Sequence, residues 1–329
     1  MSTINIQVAE RAGARLVIGL SGTSGSGKTL TALLLAYGMV DGDGSKVGLL
    51  CTENRRGRLY ASRDTYEKVR DQLGMKSLPK PFLVGDLEPP FSPARYVDAI
   101  LQFQQAGVKV LVVDSVSHEW EGIGGCEEIA ERGAMRGMKD WKTAKREHQK
   151  FMNALLQSDM HIIVCIRARE KVKYEKVNGK TEVTPLGILP VCEKNFMFEM
   201  TASLMMWDKG AAQTVAKCPE ELAQILGREN GHITAQDGRA LAQWVDGGVQ
   251  LDAEIEHARN TLRTASANGL DEYRKAFEAI SAKAKRALNA DGTHESLKKA
   301  AEAFDADRRA SQPGGDDLAT LNDEIETGG

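Results

Sequence analysis

The sequence has no long apolar run, no leader-like start and no paired cysteines. No apolar stretch reaches the roughly 18 residues of a transmembrane helix, so we expect no membrane segment. The first residues, MSTINIQVAERAGA, lack the basic-then-apolar order of a secretory signal. The five cysteines are scattered without a CxxC pair, which favours free thiols over disulfides or a zinc site. We therefore expect a cytoplasmic protein.

A strong overall charge is also lacking, since the formal net charge is −3. The distribution is nevertheless uneven: residues 132–180 hold thirteen Lys and Arg against five Asp and Glu. Residues 311–329 contain five acids and no Lys or Arg. This asymmetry suggests a surface for a polyanion in the middle of the chain. It also predicts a solvated, disordered acidic tail.

Strand-like and helical segments alternate over most of the 329 residues. Apolar, β-rich runs occur at 15–20, 46–53, 109–115 and 161–169. The helical patterns between them cover 56–73, 93–106 and 138–158. Continuous apolar strands joined by helical crossovers predict an α/β fold, with a mainly parallel sheet flanked by helices.

The second half of the chain shows hairpin signals and then a change of pattern. Residues 172–187 alternate about an Asn-Gly pair, which predicts a β-hairpin, and residues 202–218 predict two further strands. A helix is expected at 233–245. From 251 to 309 the apolar spacing of 3 and 4 predicts three amphipathic helices in a small bundle. The predicted division is an N-terminal strand or arm (1–14), an α/β domain (15–248), a helical bundle (249–309) and an acidic tail (310–329).

The segment GTSGSGKT at 22–29 fits the P-loop pattern G-x-x-x-x-G-K-[ST]. Phosphate oxygens must approach bare main-chain amides there, and the helix that follows directs its positive end at the anion. The lysine supplies a charge to the terminal phosphates of ATP. The predicted nucleotide-binding residues are Gly22, Thr23, Ser24, Gly25, Ser26, Gly27, Lys28, Thr29 and Leu30.

Two further roles require polar groups beside the phosphates. Thr29 and Asp114, which ends the apolar run KVLVVD, are the predicted Mg²⁺-binding residues. A carboxylate is also needed to orient the attacking water. Glu53, at the end of KVGLLCTE, is the better candidate and Glu119 is the alternative. Lys28, Glu53 and Asp114 are therefore the predicted catalytic residues.

These motifs together resemble the RecA-like ATPase core. The match rests on GTSGSGKT followed by VLVVDSVSHEW, with an acid ending the intervening strand. More closely, 15–248 is similar to phage and prophage ATP-binding proteins, some of which act in single-strand annealing and recombination. Softer cues are TENRRGRLYA, SHEWEGIGGC, CIRAREKVKY and NFMFEMTASLMM. The resemblance implies a Mg²⁺-dependent ATPase, in the bacterial host cytoplasm if a phage encodes it.

The same resemblance implies roles for Glu53 and for cations of the basic region. In RecA-like proteins a Glu that ends the second core strand acts on water, which matches Glu53. A polar residue that ends the strand after the Asp114 strand couples the nucleotide to DNA; Arg167 or Arg169 stands here in place of the usual amide. Cations interleaved with aromatics suit single-stranded DNA. The predicted nucleic-acid contacts are Lys142, Lys145, Arg167, Arg169, Lys171 and Lys173.

Partners and alternatives follow from the same features. The resemblance implies self-association into a ring or filament, in which a cation from a neighbour, Lys194 or Lys209, would reach the phosphates. The bundle and tail are candidate contacts for a single-strand-binding protein or another recombination partner. Two other functions stay open: a nucleotide-dependent interaction protein without DNA activity, and a small-molecule kinase with NRRGR (54–58) as its lid.

Overall fold

The computed structural model describes residues 14–134, 137–177, 180–246, 253–290 and 292–310. Side chains at 174–177, 180–182, 253, 256 and 309–310 are not described. The chain divides into two compact units, Met1–Val249 and Gln250–Gly329. The expected N-terminal strand and the acidic tail from 311 lie outside the described residues. Among those described, no helix combines the length and apolarity needed to cross a bilayer.

The first unit is built on one sheet. Its strands are β1 (Val17–Gly22), β2 (Val47–Cys51), β3 (Leu83–Asp86), β4 (Val110–Asp114), β5 (His161–Val177), β6 (Lys180–Pro190), β7 (Ala202–Trp207) and β8 (Ala212–Lys217). The order across the sheet is β3-β2-β4-β5-β1-β7-β8, and β6 pairs with β5. Only the β5–β6 and β7–β8 pairs are antiparallel. Strands β1, β2 and β4 are buried along their whole length, as expected for parallel strands covered on both faces.

Helices flank this sheet and make up the second unit. In the first unit they are α1 (Lys28–Met39), α2 (Arg63–Leu73), α3 (Pro93–Gln105), α4 (Ser117–Glu121), α5 (Cys126–Arg132), α6 (Trp141–Leu156), α7 (Phe196–Glu199), α8 (Ala223–Leu226) and α9 (Ala235–Val245). In the second they are α10 (Ala253–Ser266), α11 (Leu270–Ala279), α12 (Ala282–Ala290) and α13 (Thr293–Ala310). The predicted α/β class with a mostly parallel sheet, together with a C-terminal helical region, is confirmed.

A cluster of aromatic side chains fills part of the core between the sheet and its helices. Tyr96 of α3, Phe151 of α6 and Phe196 of α7 are all fully buried. The rings of Tyr96 and Phe151 meet edge to face at 5.3 Å, and Phe151 stacks on Phe196 at 6.2 Å. Each such ring buries a large apolar area, so this cluster fixes α3 and α6 against the same face of the sheet.

Some predicted elements differ in detail from those observed. The segment predicted as one helix at 56–73 is a 3₁₀ turn at Arg56–Tyr60 followed by α2, because Ser62 caps α2 by accepting a hydrogen bond from the Thr65 amide. Strand β3 was not predicted. The second unit has four described helices instead of three, since a break after Ile280 separates α11 from α12.

The hairpin predictions are confirmed where the chain is described. Strand β5 leaves the sheet after Arg167 and pairs with β6, although the Asn-Gly turn itself lies outside the described residues. Strands β7 and β8 pair about a 3₁₀ turn at Asp208–Gly210. The helix expected at 233–245 is α9, whose start carries a capping box between Thr234 and Asp237.

Candidate functional site

The glycine-rich segment links β1 directly to α1. Strand β1 ends at Gly22, and α1 begins at Lys28. The buried Lys28 ammonium donates hydrogen bonds to the main-chain oxygens of Gly22 at 2.9 Å and Thr23 at 2.7 Å. Its burial lowers the pKa of Lys28. The only cation of the loop is thus folded back on the loop itself.

Gly27 shows why this loop excludes larger residues. It has a φ of +91°, and an added Cβ would lie 2.6 Å from main-chain atoms of Lys209. Glycine is therefore required at this position both by the left-handed conformation and by the close main chain of Lys209. A cradle of main chain without Cβ atoms is the geometry that lets amides approach a phosphate, so the loop fits a nucleotide.

Thr29 and Asp114 form the second part of the site. Thr29 stands in the first turn of α1, and Asp114 ends β4. The Thr29 hydroxyl donates a hydrogen bond of 2.6 Å to Asp114 Oδ2. Asp114 is buried, and burial raises the pKa of its carboxyl. A hydroxyl and a carboxylate beside the phosphate loop are the hard oxygen ligands that Mg²⁺ prefers, so this pair fits the metal.

A cavity of about 410 Å³ brings these groups together. It is lined by Ser24, Gly25, Lys28, Thr29, Glu53, Arg56, Gly57, Tyr60, Asp114, Glu121, Arg167, Ala168, Arg169 and Val191. The three predicted catalytic residues are therefore neighbours. The other predicted nucleotide-binding residues do not line the cavity: Gly22 ends β1, Thr23, Ser26 and Gly27 lie in the loop, and Leu30 lies in α1.

Glu53 and Arg167 face each other across the cavity. Arg167 Nε donates to Glu53 Oε1 at 2.7 Å, and its Nη2 donates to the other carboxylate oxygen. The hydrogen bonds that the guanidinium donates to this carboxylate raise the pKa of Arg167. Such a two-bond guanidinium pair is among the stronger polar contacts in proteins. Arg167, a predicted DNA contact, therefore lies at the nucleotide cavity.

Glu119, the alternative candidate for orienting water, lies elsewhere. Its carboxylate is buried against His148, with both oxygens 3.1 Å from Nδ1 of the ring. It does not line the cavity. Of the two glutamates considered from the sequence, only Glu53 faces the phosphate loop.

Sequence reasoning missed Thr52, which links two cavity strands. Its hydroxyl accepts a hydrogen bond of 2.9 Å from the Ser115 amide and lies 2.7 Å from His118 Nδ1. The His118 ring stacks on Phe91 at 4.8 Å, and burial lowers its pKa. The position of Thr52, next to Glu53 at the end of an apolar strand, was the available signal.

The segment after Glu53 also contributes to the cavity. Arg56, Gly57 and Tyr60 line it, and burial raises the pKa of Tyr60. The adjacent arginines are engaged outside the cavity: Arg58 pairs with Asp86 at 2.5 Å, and Arg55 pairs with Glu88 at 3.1 Å. The NRRGR segment therefore supplies one guanidinium to the nucleotide site.

The remaining predicted DNA contacts fall on two surfaces. Lys142 and Lys145 are exposed on α6, beside Trp141, which is 37% exposed and stacks on Trp120 at 5.9 Å. The hairpin group is less uniform. Arg169 pairs with Glu121 at 2.8 Å and lines the nucleotide cavity. Lys171 donates to the Pro190 carbonyl at 3.1 Å, and Lys173 is exposed.

Comparison with known proteins places the site in a family. The profile of the AAA domain family matches residues 14–187, which include the phosphate loop, Glu53, Asp114 and Arg167. Among solved structures, a KaiC-like protein from the archaeon Pyrococcus horikoshii OT3 is similar, with 15% identity and a TM-score of 0.35. The similarity covers 64% of this chain and 81% of that one. No curated protein sequence matched the chain.

Proposed function

The chain belongs to the AAA domain family and has a P-loop ATPase core, and from that premise we propose that it is a Mg²⁺-dependent ATPase acting on single-stranded DNA. The reaction would serve annealing, recombination or repair of the phage type. The observation that carries the proposal is the shared cavity: the groups for phosphate, metal and water lie around one space, and Arg167 leads from it into the hairpin.

Each polar group of the cavity has a distinct part in hydrolysis. The Lys28 ammonium would leave the carbonyls of the loop and bind the terminal phosphates. Thr29 and Asp114 would hold the metal, which when bound neutralises charge on the phosphates. Glu53 would orient the attacking water and accept its proton.

The Glu53–Arg167 pair supports a coupling between nucleotide and DNA. A guanidinium that binds a carboxylate in the cavity can also bind a phosphate. A bound triphosphate would therefore draw Arg167 away from Glu53 and free the base. Because β5 continues from Arg167 into the hairpin, this movement would also shift the segment that carries Lys171 and Lys173.

Exposed cations on α6 support DNA as the partner. Lys142 and Lys145 of α6 lie close to the stacked pair of Trp120 and Trp141. Lysines bind the phosphate backbone, and a half-exposed indole offers a surface for unpaired bases.

A steady-state ATPase assay with and without single-stranded DNA tests the proposal. We expect strong stimulation by DNA in the wild type and loss of nucleotide binding in Lys28→Ala. Slow turnover that ignores DNA would overturn the DNA role and favour the nucleotide-dependent interaction protein. Phosphorylation of an added metabolite would instead favour a kinase, for which Arg56 at the cavity is the supporting observation.

Self-association is part of the proposal. A ring or filament would let a neighbouring subunit present a cation to the phosphates, and the helical second unit would be available to a single-strand-binding protein. Electron microscopy of the full chain with a non-hydrolysable ATP analogue and DNA should show closed rings or filaments. Uniform monomers under these conditions would contradict this part and leave the ATPase assignment intact.

A further inference from the structure

Away from the nucleotide cavity, three side chains with different metal-binding atoms meet in the interior. They are Glu119 of α4, Cys126 of α5 and His148 of α6, which are 1%, 0% and 7% exposed. One potential ligand atom from each lies within 4.8 Å of the others. The proposed ATPase mechanism gives none of them a role.

The distances within this cluster suit a small cation. Cys126 Sγ lies 3.1 Å from Glu119 Oε1, and His148 Nδ1 lies 3.1 Å from the same oxygen. Tetrahedral zinc with its usual bond lengths separates such ligand atoms by about 3.3–3.6 Å. These two pairs would therefore have to separate by only a few tenths of an ångström, and Cys126 and His148 lie within 4.8 Å of each other.

The chemistry of the three ligands selects the metal. A thiolate and an imidazole are poor ligands for Mg²⁺ or Ca²⁺, which prefer oxygen, but they are typical for Zn²⁺. One carboxylate and one thiolate also balance the two charges of the ion, so the buried complex would be neutral. We propose that Glu119, Cys126 and His148 form a binding site for one zinc ion, distinct from the magnesium site at Asp114.

The surrounding residues hold the histidine in place for this role. The His148 ring meets Trp120 edge to face at 5.5 Å and packs against Phe196 at 5.7 Å. A ligand whose ring is fixed by packing loses little freedom on binding. On metal entry the thiol proton of Cys126 goes to solvent, and the thiolate donates an electron pair to zinc. Three protein ligands leave the fourth position to water.

The site joins parts of the chain that are far apart in sequence. Helix α4 begins three residues after Asp114, and α6 carries the exposed Lys142 and Lys145. Zinc would fasten the basic helix to the segment that follows the magnesium-binding strand. The structure shows all five cysteines as free, as the sequence predicted, and Cys126 lies among metal-binding groups.

The experiment measures metal binding by the full chain without nucleotide. We expect one zinc per chain by elemental analysis, and a sulfur-to-cobalt charge-transfer band when Co²⁺ replaces zinc. Cys126→Ser and His148→Gln should each lose the band and the stoichiometric metal. The matched control is Cys218→Ser, which removes a half-buried thiol outside the cluster. Lys28→Ala should retain zinc, which separates this test from that of the ATPase.

A second measurement covers variants that fail to fold. Zinc should raise the melting temperature of metal-stripped wild type, because a ligand that binds only the folded state stabilises it. The proposal would be overturned if metal-stripped wild type gave no charge-transfer band on addition of Co²⁺ and no shift in melting temperature on addition of zinc. A band that persists in Cys126→Ser would overturn it too.

Discussion

Glu53 and Arg167 form an ion pair with two hydrogen bonds at the nucleotide cavity. Both carboxylate oxygens accept from the guanidinium, so the base cannot turn towards water while the pair is intact. The side chains come from strands that are separated by β4 in the sheet. In the proposed mechanism, phosphate binding and activation of the base would be linked through this arginine.

Replacing Glu53 by Gln should separate binding from hydrolysis. The amide keeps the shape of the side chain but cannot accept the proton, so we expect turnover to fall by at least about 100-fold. ATP affinity, measured by titration calorimetry, should change little since Lys28 and Thr29 are intact. The control is Glu121→Gln, which alters a cavity carboxylate that pairs with Arg169. An equal loss in both variants would contradict the role of Glu53.

Gly27→Ala and Gly25→Ala should differ in stability even though both residues have positive φ. An added Cβ at Gly27 would meet the main chain of Lys209 at 2.6 Å, whereas nothing lies within 4 Å at Gly25. Both variants carry a left-handed alanine, at a cost of about 1–2 kcal/mol. Only Gly27→Ala adds the clash, so urea unfolding should show the larger loss there. Equal free energies of unfolding would refute this account.

At single positions, the sequence predicted what is local and missed what depends on the sheet. Lys28 and Asp114 could be predicted because a motif or the end of an apolar run marks them. The pairing of Arg167 with Glu53 could not, since it arises only when β5 lies beside β4 in the folded sheet. For the same reason Glu119 could not be told from a cavity residue until its contact with His148 was visible.

At the scale of elements, strand β5 connects most of the features described above. It begins at His161 between β1 and β4, reaches the cavity at Arg167 and continues into the hairpin. Its first residue is fixed by a hydrogen bond of 3.1 Å from the Leu16 amide to His161 Nδ1. That bond requires the unprotonated ring nitrogen.

Stability should therefore fall in mild acid because of His161. Burial lowers its pKa to about 4, against about 6.5 in an unfolded chain. Between these values the unfolded chain binds more protons, so up to about 3 kcal/mol of stability is lost as pH falls from 6.5 towards 4. His161→Asn should flatten this part of the pH profile of unfolding, whereas the exposed His232→Asn should not. A profile unchanged by His161→Asn would contradict the prediction.

There are physical reasons why the sequence did not predict certain elements. Strand β3 has four residues including Gly85, which is too short for a periodic signal. The break between α11 and α12 escaped because apolar residues continue across it with helical spacing. Ser281, whose hydroxyl accepts from the Ala284 amide at 3.2 Å, caps the new helix and was the available signal.

At the scale of the molecule, the first unit carries two basic surfaces, one on α6 and one on the hairpin of β5 and β6. Arg167 and Arg169 line the cavity and pair with carboxylates, whereas Lys142, Lys145 and Lys173 are exposed outside it. The charge excess of 132–180 was visible in the sequence. Its division between cavity and surface was not, because that depends on where β5 leaves the sheet.

DNA affinity should depend on salt through Lys142 and Lys145. If each contacts one phosphate, the double change to Gln should reduce the slope of log K against log salt by about 1.4, at about 0.7 per contact on a single strand. The control changes Lys76 and Lys80, exposed lysines outside α6, to Gln. Fluorescence anisotropy over a salt series measures both. Identical slopes for wild type and the α6 variant would remove this helix from the interface.

Main-chain oxygens of the phosphate loop bind the Lys28 ammonium, so a nucleotide would have to compete with them for this group. The ammonium already has partners in the oxygens of Gly22 and Thr23, and Thr29 already has one in Asp114. An arriving molecule must replace these bonds, so its affinity is a difference between two sets of contacts. If the chain binds ATP as proposed, a triphosphate would replace more of these bonds than a monophosphate, and nucleotide affinity would rise with the number of phosphates.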